Sequence, residues 1–593
     1  MRKARLAEAA AVAIVLAAFV AAVSPTLGQP LVDNNSFRQT QTAFTARIYH
    51  QQGIDLLHPK LPVLGEPFEV PFEFPLFQAA AAVAMDAGVR DDVAMRATGL
   101  ACFLLSAVFL YGLVRRVDGR ASALAALVAF VCTPFALVWG RSSMIEYLAT
   151  AGAVGFAWAT IAWRENGRPD VGGLALAAGL VGMLVKPTTA VFWLIPPLAY
   201  RPSSTRGAGP NGRRGWLLVG LVVIPIAAAL LWTRHADAIK DASPATAWLT
   251  SDELGEWNFG TLSQRFGRGF WGVIERRVVD HMLGLRLTGL ALVAVGLVAL
   301  ARSTQRLFWI SVGLAAVVPP FFFTNLYLQH DYYLAAVAPA IAALAGFAFG
   351  YVWRRLPHRP LVVVPTAAVA LLALAGPLVL DRDYWRRIYD DLDPPALARE
   401  LAMHTRSNDR IGVDGLDWSP ETLYYADRWG LMAVERKREA TYDALHDAGY
   451  RYLLVADPFE ADLRPLSRWP WLGALGPHTY VLADDPAELG DAAFVSTSDP
   501  GVVGTGRVLT PDVRVPCGAP LPLRSGRRGT LIRISNPAPD GRVGVTPSLA
   551  PLPTRRTVLV GPVVTSAGVV TLTCSGQEAL LVDVLEAPLR AGD

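Results

Sequence analysis

Charge is scarce in this chain, and lysine is scarcer still. Of 593 residues only 18% are charged, and the 54 Lys and Arg include just five Lys: Lys3, Lys60, Lys186, Lys240 and Lys437. Against 50 Asp and Glu the formal net charge is +4, with no basic cluster of the kind a nucleic-acid-binding face needs. Hydrophobic residues make up 53% of the chain and mean hydropathy is +0.34, which excludes an ordinary soluble protein and a disordered one. Cysteine is rare as well. The four Cys are Cys102, Cys132, Cys517 and Cys574, and their spacing fits no zinc site.

What is abundant is apolar sequence, and it is concentrated in the first 380 residues. A helix needs about 20 mostly apolar residues to cross a bilayer. Eleven runs qualify as expected spans, at 6–25, 95–114, 121–139, 147–163, 171–186, 188–200, 216–232, 284–300, 307–323, 334–352 and 361–380. The fifth and sixth meet at Lys186-Pro187. Arg-bearing loops then alternate with Arg-poor ones. Arg115-Arg116 to Arg120, Arg164 to Arg168, Arg201 to Arg214, Arg302 to Arg306 and Arg354 to Arg359 all fall on the side of the basic N-terminus. By the positive-inside rule that side is cytoplasmic, so 26–94, 140–146, 233–283, 324–333 and everything after Leu380 are extracytoplasmic. A cleaved signal peptide is the alternative for the first run; the many spans that follow favour an anchor.

The tail changes character. Residues 381–500 mix short apolar strands (Arg410 to Val413, Tyr452 to Val455) with helical stretches (Pro420 to Tyr425, Ala440 to Ala448), an α/β pattern. From 501 to 593, Val-rich strands such as Val558 to Val560 and Val569 to Leu572 are separated by Pro and Gly, the pattern of a small β-sandwich. Cys517 and Cys574 lie in this exported part, where an oxidising compartment permits a disulfide between them.

The rare charged side chains gather at the outer ends of the spans. Asp33 follows the first span and precedes Phe37, Gln41, Phe44 and Ile48 at helical spacing, which reads as an amphipathic helix on the membrane surface with Asp33 either its cap or a working carboxylate. Glu66, Glu69 and Glu73 stand among Phe and Pro, as solvated loop acids or as ligands. Arg141 lies near Glu146, suited either to an ion pair with it or to a phosphate. Lys186 snorkels from an apolar run or takes a buried partner. His330, Tyr332 and Tyr333 face outward as part of an aromatic belt or of a pocket. Acids and bases converging on one face can bind an anionic lipid head group and activate a hydroxyl. Residues 265–283 read as a second interfacial helix, with Phe266, Phe270 and Ile274 on one face.

Over residues 1–380 the chain resembles the polytopic GT-C glycosyltransferases, in the branch of the protein O-mannosyltransferases and the lipid A aminoarabinose transferases. The resemblance rests on Asp33 after the first span, Phe37-Arg38-Gln39, Phe72-Glu73-Phe74-Pro75-Leu76, Arg141 with Glu146, Lys186-Pro187 and His330-Asp331-Tyr332-Tyr333-Leu334. It implies a multi-pass plasma-membrane enzyme with its N-terminus cytoplasmic and its C-terminal region extracytoplasmic. Such an enzyme moves a sugar from a polyprenyl-phosphate donor to the hydroxyl of a lipid, glycan or protein acceptor by one inverting displacement. Asp33 would be the base; Lys186 and Arg141 would bind the donor phosphate; Arg38, Gln39, Glu73, Glu146, His330, Tyr332 and Tyr333 would shape the pocket. Relatives often carry Asp-Glu where this chain has Asp33-Asn34, so Glu146 or Glu73 would have to replace the second acid. The resemblance requires no cofactor, and Glu73 with His330 is the pair available to a divalent metal. Two other classes compete: a transporter or lipid flippase, and a membrane-anchored glycan-binding or assembly protein. The first is disfavoured by the lack of a clear internal repeat.

Overall fold

The computed structural model describes residues 2–202, 212–357, 376–432, 445 and 447–455, and beyond these the strands named below with the turn at 517–519. The chain forms two compact units. The first comprises Met1–Lys60 and Glu69–Leu392, the second Leu61–Phe68 and Asp393–Asp593.

The first unit is helical. Its N-terminal part runs α1 (Arg2–Val23), α2 (Ser36–Gln52), α3 (Leu76–Asp86), α4 (Asp91–Asp118), α5 (Arg120–Val131), α6 (Pro134–Trp139), α7 (Glu146–Asn166), α8 (Pro169–Val185) and α9 (Pro187–Ala190). Long apolar helices follow at Gly212–Asp241, Arg286–Ala301, Arg306–Phe322 and Ala338–Trp353. Small residues let these helices approach closely: a Cβ on Gly152 of α7 would stand 2.5 Å from the backbone N of Gly182 on α8. Elsewhere apolar side chains face outward, as Trp216, Leu230, Leu231, Leu287 and Leu290 do, a surface suited to lipid rather than water.

Eleven spans are not what the described residues show. Three helices are long and apolar enough to cross a membrane (Arg5–Thr26, Asp91–Asp118 and Gly215–Asp241), or four if Arg268–Leu283 and Arg286–Ala301, bent by 90°, count as one. Six further apolar helices are shorter. The apolar runs contain helix breakers that a hydropathy window averages away. Thr133-Pro134 divides the third run into α5 and α6, and Lys186, in an extended conformation, divides α8 from α9. Residues 358–375, most of the eleventh run, lie outside the described residues.

Two expected surface helices differ too. In α2, Gln39 to Ala46 are all buried, so it is an enclosed helix and not one lying on an interface; its polar side chains meet charged partners inside the unit. The 265–283 stretch is broken at Gly267 and ends in a π-turn at Val279–Leu283; Phe270 and Ile274 are buried, but Phe266 is exposed.

The second unit contains β1 (Arg410–Asp414), β2 (Trp429–Leu431), β3 (Tyr452–Val455), β4 (Trp471–Ala474), β5 (Tyr480–Ala483), β6 (Gly506–Pro516), β7 (Pro520–Pro522), β8 (Gly529–Ser535), β9 (Arg542–Thr546), β10 (Leu549–Pro553), β11 (Val558–Val563), β12 (Val569–Ser575) and β13 (Ala579–Ala587). They form a nine-stranded sheet, β11-β8-β13-β6-β4-β5-β3-β1-β2, and a four-stranded sheet, β10-β9-β12-β7. β1 pairs in parallel with β2 and β3, and the helix Glu421–Ala426 lies between β1 and β2 in sequence, as an α/β pattern requires. The helix expected at 440–448 falls largely outside the described residues. The large sheet takes strands from both sides of residue 500, since β4 pairs with β6. Residues 61–68, which belong to this unit, cover the free edge of β2: Gly430 N donates to Pro62 O at 2.9 Å and Met432 N to Val63 O at 2.8 Å. Cys517 and Cys574 are joined as a disulfide, with Cα atoms 5.3 Å apart, while Cys102 and Cys132 are free thiols.

Candidate active site

The site lies at one end of the helices of the first unit, where α1 gives way to the 24–35 loop and where α4 and α7 begin. Two charge clusters meet there.

The first is centred on Asp33. Its Oδ2 accepts from Arg141 Nη2 at 2.5 Å, and its Oδ1 from Arg96 Nη2 at 3.1 Å and Gln39 Nε2 at 2.5 Å. Asp33 is therefore not a helix cap. The N-cap of α2 is Asn35, in the left-handed region at φ 58°, and no side chain bonds the helix end. Arg96 is anchored by the loop it reaches, donating from Nε to Gln29 O at 3.1 Å and from Nη2 to Pro30 O at 2.7 Å. Gln39 is anchored in turn, its Oε1 accepting from Ser143 N at 3.1 Å and Ser143 Oγ at 3.0 Å. The 140–145 loop can come this close because it crosses α4 at a glycine: a Cβ on Gly99 would meet Ser142 O at 2.1 Å. Both guanidiniums are fully buried, and Asp33 is 9% exposed.

The electrostatics follow from that count. Burial pushes the Asp33 carboxyl up, but Arg96 and Arg141 together hold it below the usual carboxylate value. Burial, with repulsion from Arg96, lowers Arg141 to about 10 against the opposing pull of Asp33. Asp33 is thus shared by two guanidiniums, one of which, Arg96, also acts on the Asp92 carboxylate. Arg96 Nη1 and Arg141 Nε and Nη1 are buried without a hydrogen-bond partner, a costly condition that an anion would relieve.

The second cluster joins Arg38, Glu73, Glu146 and Lys186. Arg38 donates to Glu73 at 2.5 Å and also to Gln41. Lys186, 5% exposed, pairs with Glu146 from the first turn of α7, so it is a buried, partnered cation and does not snorkel. The extended backbone at Lys186, between α8 and the Pro187 that opens α9, is what turns its side chain inward. Its Nζ stands 4.5 Å from the Tyr333 ring centroid and 5.6 Å from that of Tyr332, within cation–π range. His330 stacks on Tyr332 with centroids 5.2 Å apart. Tyr332 is buried and thus no aromatic-belt residue. Burial lowers His330 below its ordinary 6.5, outweighing Asp331.

The side chains singled out from sequence therefore assemble, with altered pairings. Arg141 pairs with Asp33 and not with Glu146, because 140–145 is a turn between α6 and α7 and offers no helical i,i+4 geometry. Arg38 and Gln39, adjacent on α2, link the two clusters. Glu66 belongs to the second unit, paired with Arg410. Arg96 was missed, although an Arg one residue inside an apolar run is a signal in itself. So was Tyr384, which donates to Asp331 at 2.7 Å and accepts from Trp139 Nε1 at 2.8 Å, the Trp139 ring in turn lying 5.7 Å from Tyr332. For a metal the donor set does not fit. Glu73 is taken up by Arg38, and among the described residues no three His, Cys, Asp or Glu are grouped to hold an ion.

Comparison with known proteins agrees with this architecture. The family model of dolichyl-phosphate-mannose-protein mannosyltransferases matches residues 70–240, a stretch that contains Glu73, Arg96, Arg141, Glu146 and Lys186. No curated protein sequence matches the chain. Among solved structures, ArnT from Cupriavidus metallidurans bound to undecaprenyl phosphate superposes with a TM-score of 0.55 at 13% identity, covering 81% of this chain and 98% of that one. The same enzyme in its apo state gives 0.54 at 14% identity, over 81% and 98%. The arabinofuranosyltransferase AftD from Mycobacteria gives 0.50 at 14% identity, over 99% of this chain and 58% of that one. The fold is that of the GT-C glycosyltransferases, a helical membrane-associated body followed by a C-terminal region.

Proposed function

We propose that the protein is a membrane glycosyltransferase that moves a sugar from a polyprenyl-phosphate donor to an extracytoplasmic acceptor hydroxyl. The observation that carries this reading is the pair of buried guanidiniums at Arg96 and Arg141, with three donor nitrogens buried and unpartnered, beside an ionised carboxylate. A site with buried donors for an anion and a base next to them suits displacement at a carbon bearing a phosphate leaving group. The match to the mannosyltransferase model and the fold shared with ArnT, whose structure was solved with undecaprenyl phosphate, support the choice of donor.

In the reaction, the acceptor oxygen bonds to the anomeric carbon as the carbon–oxygen bond to phosphate breaks, which inverts the configuration. Asp33 takes the hydroxyl proton. Lys186 and Arg141 receive the negative charge left on the polyprenyl phosphate. Arg96 keeps Asp33 ionised and oriented, while Gln39 fixes Asp33 against the 140–145 loop. Arg38, Glu73, Glu146, His330, Tyr332 and Tyr333 form the wall facing the sugar. His330, held neutral at pH 7 by burial, serves as a hydrogen-bonding group rather than a cation. In this reading the six shorter apolar helices complete a multi-pass plasma-membrane body. The N-terminus lies in the cytoplasm, and the two C-terminal sheets form an exported α/β and sandwich-like region. The acceptor is a lipid, glycan or protein.

The test is transfer by the purified chain with a polyprenyl-phosphate sugar. Asp33→Asn removes the base while keeping a side chain of the same shape, and is expected to lower kcat by about 100-fold or more. Full transfer by that variant would overturn the assignment. A transporter would instead move substrate across a vesicle membrane with no glycosidic product.

A further inference from the structure

At the far end of the same helices, about 28 Å along α4 from Arg96 at 1.5 Å per residue, lies a second polar site. The start of α1 and the ends of α4 and α7 line an open cavity of about 920 Å³. Its rim carries Arg5, Arg115 and Arg116 with Glu8 and Glu165, and its deeper walls are Val12, Leu16, Phe109 and Trp158. The indole lies flat across α4 because residue 112 is glycine; a Cβ there would meet Trp158 Nε1 at 2.8 Å.

The rim is organised. Glu8 binds Arg115, Arg120 and the hydroxyl of Tyr111. Glu165 binds Arg116 and accepts from Tyr200 at 2.5 Å. Three guanidiniums, Arg5, Arg115 and Arg116, thus line the site with two carboxylates, and exposures of 42% for Arg115 and 32% for Arg116 leave them open to a ligand. A phosphate ion would use the rim alone and leave the aromatic and aliphatic floor bare. A molecule with an anionic head and an apolar body uses both.

We infer that this cavity binds an anionic phospholipid, with the phosphate among Arg5, Arg115 and Arg116 and the acyl chains against Leu16, Phe109 and Trp158. The site rests on the membrane placement proposed above, which puts the Arg-rich end at the cytoplasmic leaflet. Basic pockets between helices on that side suit anionic head groups. It is separate from the sugar-transfer site and would hold a structural or regulatory lipid.

Native mass spectrometry of the full-length chain, purified in detergent and given no sugar donor, tests the site independently of transfer. Added phosphatidylglycerol is expected to remain bound at concentrations where phosphatidylcholine does not. The double variant Arg5→Gln/Arg116→Gln is expected to weaken its retention by roughly 25-fold, at about fivefold per lost cation. Ala9→Trp alters no charge and fills the cavity from α1, and is expected to lower retention as well. Equal retention of the two lipids, or unchanged retention in both variants, would overturn the proposal. Displacement by millimolar inorganic phosphate would reassign the rim to a soluble anion and also overturn it.

Discussion

The two ends of α1, α4 and α7 use the same residue types in opposite ways. At one end Arg96 and Arg141 are fully buried around an Asp33 that is 9% exposed, and Glu146 and Lys186 are 4% and 5% exposed. At the other, Arg115 and Arg120 share Glu8 while 42% and 49% exposed. A buried pair loses the hydration of both ions, so it need not stabilise the fold; breaking it strands a charge and costs about 3–5 kcal/mol. Open pairs are worth about 0–1 kcal/mol. Buried charge kept at that cost, without full hydrogen bonding, points to chemistry; open charge over an apolar cavity points to binding.

The largest break in this contrast is Asp33→Ala, which leaves two buried guanidiniums facing each other. It is expected to destabilise the chain by about 3–5 kcal/mol in thermal unfolding and to abolish transfer. The acid dependence follows the same residue. Because the folded pKa of Asp33 lies below its ordinary 3.8, its contribution is complete above that value and is lost as pH falls through the lower folded one. A stability profile of Asp33→Asn should lack that acid loss.

Lys186→Met strands Glu146 and comes next, at about 3 kcal/mol. Adding Glu146→Leu should restore most of that stability without restoring transfer, which separates the pair's structural role from its chemical one. Gly99→Ala places a Cβ 2.1 Å from Ser142 O and forces the 140–145 loop outward. About 1–3 kcal/mol of destabilisation and weaker donor use, read as a raised KM, are expected as Arg141 moves. The smallest effect belongs to the other end: Arg116→Gln, at an open pair 32% exposed, should change stability by about 1 kcal/mol or less. A large loss there would erase the contrast.

Much of the candidate cluster was legible because rare charges beside apolar runs have few reasons to be there. Asp33, Arg38, Glu73, Arg141, Glu146, Lys186 and His330 all fall at the same end of the helical unit. Their pairing was not legible. It depends on the 140–145 turn crossing α4 at Gly99, a long-range contact with no periodic signature. Arg96 was read as part of a span, though its position only one residue inside the run starting at 95 matches its reach back to Gln29 and Pro30. Span counting failed where Thr133-Pro134 and Lys186-Pro187 break helices whose average hydropathy is unchanged. In the tail, β1, β3, β11 and β12 announced themselves as short apolar, Val-rich runs. The cover that residues 62–65 place over β2 did not, because it consists of backbone hydrogen bonds, which any sequence can make.

The most direct test of the central claim, that the buried end performs sugar transfer, compares Asp33→Asn with Arg168→Gln in a single-turnover assay at saturating polyprenyl-phosphate sugar. Arg168 sits in a solvent-open pair with Asp170 and belongs to neither charge cluster of the buried end. Transfer should fall about 100-fold or more in Asp33→Asn and stay at the wild-type rate in Arg168→Gln. Equal rates in all three proteins would contradict the account.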